Sequence, residues 1–386
     1  MANSIIHKMT LTQVVPKKRI ESIDLMRGIV MVVMALDHSR DFLTNLNYDP
    51  TDLTRASTFL FLTRFVTHYC ASTFIFLAGT SAFLSISRGK TKNQAAEFLL
   101  SRGLWLIFLE LTVMRFGWLL NLQYGFLFFQ VIWAIGVSMV VLAALVYLPL
   151  PAIAAIGFIM VFGHDMLDKI STTSFSPAAK TIWDFLHVEG MTTVGSENIF
   201  ILYPLVPWIG VMALGYCFGT LYKMDDAAKR RTWLRIIGFS ALVIFVLIRA
   251  FNIYGDPANW TDQHNFGRDI LSFIDVSKYP PSLDYLLITL GPVMLLLAAF
   301  EGVKNKLSDI FLVYGRVPLF YYTLHLYLLH LSAVAIFVAC GQKQGYSFPL
   351  WTVYALWISV VIILYFPCRW FMKYKQTHKQ WWLSYL

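Results

Sequence analysis

The sequence predicts an all-α bundle of about ten membrane-spanning helices, a polytopic integral membrane protein with both termini cytoplasmic. Three observations carry this expectation. Hydrophobic residues make up 58% of the 386-residue chain and charged residues only 14%, at a mean hydropathy of +0.61; a soluble domain carries roughly 25% charged residues. Apolar runs long enough to span recur from end to end. With the N-terminus taken as cytoplasmic, seventeen basic residues fall in the inner tails and loops and six in the outer ones, the bias that orients membrane proteins. The first apolar run begins after Lys17-Lys18-Arg19 and is interrupted by Arg27, so it is expected to stay as a span rather than be cleaved as a leader.

The expected spans are 23–44, 57–87, 101–122, 125–148, 151–167, 198–222, 233–254, 282–300, 313–338 and 349–373. They form one transmembrane domain over 20–373, between an N-terminal tail (1–19) and a C-terminal tail (374–386). Their breaks are chemically ordinary: NLNYDPTDL closes the first, RGKTKN the second, PLP separates the fourth from the fifth, and DDAAKRR separates the sixth from the seventh. The second and ninth are long enough to tilt or kink. Pro204 and Pro207 bend the sixth. Two outer connections, 168–197 and 255–281, are long, polar and aromatic, and loops over about 15 residues are often binding loops or lids. The four cysteines (Cys70, Cys217, Cys340, Cys368) have no paired spacing and read as buried thiols, with no metal site expected. The net charge of +9 fits anionic inner-leaflet lipid and gives no reason to invoke nucleic acid.

Ionisable residues inside the spans point to chemistry, because such groups are costly in lipid and usually face a cavity. The first span, IDLMRGIVMVVMALDH, places Arg27 and His38 eleven residues apart, ~16 Å along a helix. Asp37, His38, Arg40 and Asp41 fall in its outer third. The second span returns with Arg64 and His68 at similar depth. Together these form an outer cluster in which a histidine can move a proton. The same cluster also reads as interhelical ion pairs locking the bundle, with Asp37 or Asp41 neutralising Arg64. In the third span, Glu110 and Arg115 are five apart, a poor pairing distance within one helix, so each is expected to bond another helix, Glu110 an arginine on a neighbouring span. Arg102 reads as a snorkelling anchor. In the ninth, Gly315-Arg316-Val317-Pro318 breaks the helix at the inner surface, and His325 lies nine residues deeper. Arg27 and Arg316 are candidates to hold phosphates through forked hydrogen bonds. His330 is uninformative. No Walker loop, nucleophile elbow or His-Glu-x-x-His motif occurs.

IDLMRGIVMVVMALDH, FIFLAGTSAFLSISR, PLVPWIGVMALGYCFG, LLITLGPVMLLL and YGRVPLFYYTLHL together resemble the bacterial branch of the heparan-alpha-glucosaminide N-acetyltransferase-like membrane proteins, within the transmembrane acyltransferase superfamily. The resemblance runs from about Ile20 to Arg369. It implies a multi-pass protein of the bacterial inner membrane that moves an acetyl group from cytosolic acetyl-CoA to a sugar amine or hydroxyl on the outer side. Arg27-Gly28 match the family's opening motif, and His38 falls where many members carry histidine. No histidine lies between Thr44 and Ser57, where the lysosomal enzyme carries its catalytic one. His38 or His68 is therefore expected to act as the base, oriented by Asp37 or Asp41, with Arg64 or His68 stabilising the oxyanion. Arg27, Arg316 and His325 are the expected acetyl-CoA contacts. Membrane lipid, a glycan or small-molecule acceptor and a second copy of the chain are the expected partners. The rival class is a proton-coupled carrier, which would use the same groups as a relay.

Overall fold

The structure, a computed structural model, describes residues 20–343 and 345–385. The tail 1–19, with its Lys17-Lys18-Arg19 run, lies outside the described residues. The chain is a helical bundle built around one buried helix, α1 (Glu21–Leu43), which packs against α2 (Thr58–Ile86), α11 (Leu283–Phe300), α12 (Lys306–Arg316), α13 (Pro318–Ala339) and α14 (Leu350–Thr377). The rest of the bundle comprises α3 (Lys92–Leu109), α4 (Arg115–Leu119), α5 (Val131–Leu145), α6 (Leu150–Gly163), α8 (Leu205–Phe218) and α9 (Ala227–Phe251). Seven helical segments are long and apolar enough to cross a membrane. α1 and α3 fall short on charge, and α5 on length. The charges of α1 are tolerable because neighbouring helices, not lipid, surround them.

Three expectations need correction. The third span begins nine residues early: Thr91 and Gln94 form a reciprocal cap that starts α3 at Lys92. It then opens into a π-helical turn at Glu110–Met114. The fourth and sixth spans do not begin as helix. Phe126–Phe129 and Glu197–Ile201 are strands β1 and β3, and with β2 (Gly190–Val194) they form a sheet of order β1-β3-β2. β3 runs parallel to β1, pairing Asn198 with Phe126, and antiparallel to β2. A short continuous apolar run such as FLFF has no periodicity that separates strand from helix. The ninth span breaks where Gly315-Arg316-Val317-Pro318 was expected to break it: α12 and α13 divide at Val317 (φ −134°, ψ 51°), because Pro318 cannot donate to the preceding turn. The long loops carry α7 (Pro177–His187) and α10 (Phe266–Ile274), started by Ser176 and Asn265 caps. Cys340, expected to be buried, is exposed.

One end of the bundle gathers the short basic connections, and the other holds the sheet, α7 and α10. These are the basic end and the loop end below. Glycine contacts fix α1 against α12. A Cβ on Gly28 would run into the Phe311 carbonyl, and one on Gly315 into the Asp24 carbonyl. Gly28→Ala is therefore expected to lower thermal stability by about 1–3 kcal/mol or more through overpacking. Gly163→Ala, where a Cβ meets nothing within 4 Å, should melt like the parent in the same detergent.

Candidate active site

Asp37 is the hub of the loop-end cluster. Its carboxylate takes Arg40 Nη2 at 2.5 Å, Arg64 Nη1 at 3.0 Å from both oxygens, and the Thr67 hydroxyl at 2.8 Å; Lys278 Nζ stands 3.6 Å away. Arg40 also reaches Asp41 at 2.7 Å. This one carboxylate ties α1 to α2 and to the 275–282 turn, so the expected interhelical pairing with Arg64 is present. Asp37 does not orient His38: its carboxylate bonds Arg40, Arg64 and Thr67, and the His38 ring hydrogen-bonds elsewhere.

His38 is oriented instead by His325. His38 Nδ1 lies 2.8 Å from His325 Nε2, with the rings stacked 12° apart, and His325 Nδ1 lies 3.0 Å from the Tyr321 carbonyl. A carbonyl only accepts, so His325 Nδ1 carries a proton. Neutral His325 then accepts at Nε2, His38 donates from Nδ1, and the lone pair of His38 is left on Nε2. Trp118 holds the other edge of the ring at 4.9 Å between centroids. His325 thus stands behind His38 at the loop end, away from Arg27, where a nucleotide contact was expected.

Three cavities run in series through the bundle. The first, about 550 Å³ at the basic end, is lined by Arg27, Arg88, Arg102, Lys223 and Tyr222. It shares Arg27, Ser81 and Arg102 with a second, about 230 Å³ and mainly apolar, that passes Phe98, Ile135 and Tyr322. The second shares Met34, Phe74 and Val131 with a third, about 230 Å³, lined by His38, Asp37, Asp41, Trp118, Gln130, Tyr203, Lys278 and Tyr279. A fourth cavity beyond Asp41 and Trp118 contains His330.

Other expected residues sit elsewhere. Arg27 bonds the Leu77 carbonyl at 2.8 Å and the Ser81 hydroxyl, and lies 3.7 Å from Asp24; these contacts aim it along α2. Arg316 is not brought to Arg27: it faces Glu21 at 3.6 Å and lines none of the three cavities. His68 and Arg64 also lie outside the third cavity's lining. His68 is buried with Nδ1 unpartnered, while its carbonyl accepts the Tyr285 hydroxyl at 2.6 Å. Glu110 accepts the Gln130 N–H at 3.0 Å rather than an arginine, satisfying the start of α5. Arg115 donates to the carbonyls of Asn121, Gln123 and Phe126, clamping the turn before β1. Arg102, read as an anchor, lines the passage instead.

Lys278, Tyr279 and Trp118 also line the His38 cavity, and no motif or spacing in the sequence marks them. Lys278 is one of the six basic residues of the expected outer loops; the length of the 255–281 connection was its one signal. Glu189, beside β2, is held up to about 7 from its ordinary 4.5 by burial and by nearby Asp49, against the opposing pull of Arg64. Asp275 is held up to about 6, chiefly by burial. Both folded values exceed the unfolded ones, so the stability they confer is complete below about 4.5 for Glu189 and is lost as pH rises through 7. The melting temperature should fall between those limits, and Glu189→Gln with Asp275→Asn should flatten the profile.

Residues 19–250 match the family described as heparan-alpha-glucosaminide N-acetyltransferase, catalytic. No curated protein matches the chain. The matched stretch is more than half the chain and contains Arg27, His38, Arg64 and His68, while Lys278 and His325 lie beyond it. The chain is a membrane protein and belongs to the heparan-alpha-glucosaminide N-acetyltransferase catalytic family, whose members are transmembrane acetyltransferases.

Proposed function

We propose that the protein transfers an acetyl group from acetyl-CoA, held at the basic end, to an amine or hydroxyl of a sugar at the loop end, with the basic end facing the cytosol of a bacterium and the loop end the far side of its inner membrane. The observation that carries this reading is the series of cavities joining Arg27 to His38. Its chemistry changes along its length as the donor's does. Four cations line the mouth, suited to phosphates. The middle is apolar, suited to a pantetheine arm, and the span of ~16 Å between Arg27 and His38 fits that arm extended. The far cavity holds the base. The aromatic rings of Trp118, Tyr203 and Tyr279 there offer apolar walls to a sugar's C–H faces.

In this mechanism His38 Nε2 takes the acceptor's proton as the new C–N or C–O bond forms at the thioester carbonyl. The C–S bond then breaks, and the proton passes to the departing thiolate, giving free CoA. His325 positions the ring by fixing its tautomer. Arg27 replaces the expected Arg27–Arg316 pair as the principal phosphate contact, joined by Arg88, Arg102 and Lys223. The basic bias of the inner loops supports the sidedness.

His38→Ala should lower the rate by roughly 10² to 10⁴ while leaving CoA affinity intact. Arg27→Ala should weaken CoA binding, and Arg316→Ala should bind as the parent does. Calorimetry with CoA and a radiolabelled acetyl-transfer assay to glucosamine check these outcomes. Equal loss of CoA binding in the Arg27 and Arg316 variants would refute the placement of the mouth. Full activity in His38→Ala would refute the base.

A further inference from the structure

We propose that Lys278 is a catalytic residue, the cation that stabilises the tetrahedral oxyanion formed when the acceptor attacks the acetyl thioester; this rests on the acetyl-transfer reading above. Lys278 is 6% exposed and lines the same cavity as His38. Its nearest counter-charge is Asp37, at 3.6 Å. That carboxylate is already bonded more closely by Arg40 and Arg64. Among the described residues the connected ion pairs contain three cations (Arg40, Arg64, Lys278) and two carboxylates (Asp37, Asp41). Lys278 Nζ makes no hydrogen bond among the described residues. The network therefore carries one positive charge in excess, and the member with the least satisfied donors faces the reaction cavity. One negative charge develops there during attack on a thioester carbonyl. In a site shielded from water, a prepositioned cation favours that charge far more than it would in solvent.

The turn that delivers Lys278 is built to hold still. Ser282 N–H donates to the Ser277 carbonyl at 2.9 Å. Asp256 accepts from Ser277 N–H at 2.7 Å and from the Ser282 hydroxyl at 2.6 Å, and His164 Nε2 donates to the Pro281 carbonyl at 2.7 Å. Arg64, the oxyanion donor expected from the sequence, spends its charge on Asp37 and does not line the cavity. In the step, the carbonyl π pair moves onto oxygen beside Lys278 Nζ as the nucleophile adds and His38 takes its proton. The pair returns as the C–S bond breaks, and no proton need leave Lys278.

The test compares the affinity of CoA with that of a trifluoromethyl ketone analogue of acetyl-CoA, which adds water to form a tetrahedral oxyanion mimic and needs no sugar acceptor. The parent should bind the analogue at least about 10²-fold more tightly than CoA. Lys278→Met should lower that ratio by roughly 10², with CoA affinity and melting temperature kept, because Asp37 retains Arg40 and Arg64. Lys278→Arg should keep most of the preference. An unchanged ratio in Lys278→Met overturns the assignment, as does an arginine variant that falls as far as the methionine one. A parent that binds CoA but does not prefer the analogue also overturns it. A parent that binds neither compound overturns the acetyl-transfer reading itself, and the role of Lys278 with it.

Discussion

The structure depends on one carboxylate. Asp37 sits inside an apolar bundle, where burying it alone would cost several kcal/mol even after relaxation. It is sustained by Arg40 from its own helix, Arg64 from α2 and Lys278 from the 275–282 turn. Removing Arg40 or Arg64, the two cations bonded directly to it, should cost about 3–5 kcal/mol, whereas the carboxylate keeps both bonds when Lys278, 3.6 Å away, is lost. The network is therefore a poor source of net stability and a strong source of register. It fixes how far α1 is inserted relative to α2, and that insertion sets where His38, one residue on, meets the cavity.

Two further constraints turn register into a site. Gly28 and Gly315 let α1 and α12 touch backbone to backbone, and the break at Val317 redirects the chain so that α13 brings His325 to His38. The tautomer of His38 then follows from a carbonyl on the far side of the His325 ring, that of Tyr321. Division of labour results: Asp37 organises charge, and His325 organises the base. Neither histidine nor carboxylate needs the direct Asp–His contact found in hydrolytic triads.

Part of this was legible in the sequence and part was not, for physical reasons. Arg27 and the Asp37–Asp41 cluster stood out because ionisable residues in an apolar helix require surroundings other than lipid. The break at Pro318 was legible because proline removes a donor. His325 was visible as an intramembrane histidine, yet its partner is 287 positions away in sequence, and offsets within one helix cannot report a contact between two. Arg316 was grouped with Arg27 because both are arginines toward the inner ends of their helices, but position along a helix does not specify which face a residue occupies. Lys278 was hidden because a lysine in a polar loop is unexceptional until the fold tucks that loop into the bundle. β1 and β3 were missed because a short apolar run, FLFF in one and IFI in the other, suits a buried strand and a helix equally.

The central claim is that the basic mouth and the His38 cavity are two ends of one donor site. A structure determined with acetyl-CoA bound tests this most directly. The account predicts nucleotide phosphates beside Arg27 and Arg102, the pantetheine arm passing Phe74 and Val131, and the acetyl carbonyl between His38 and Lys278. A donor seated at Arg316, or one whose thioester ends short of His38, would contradict it.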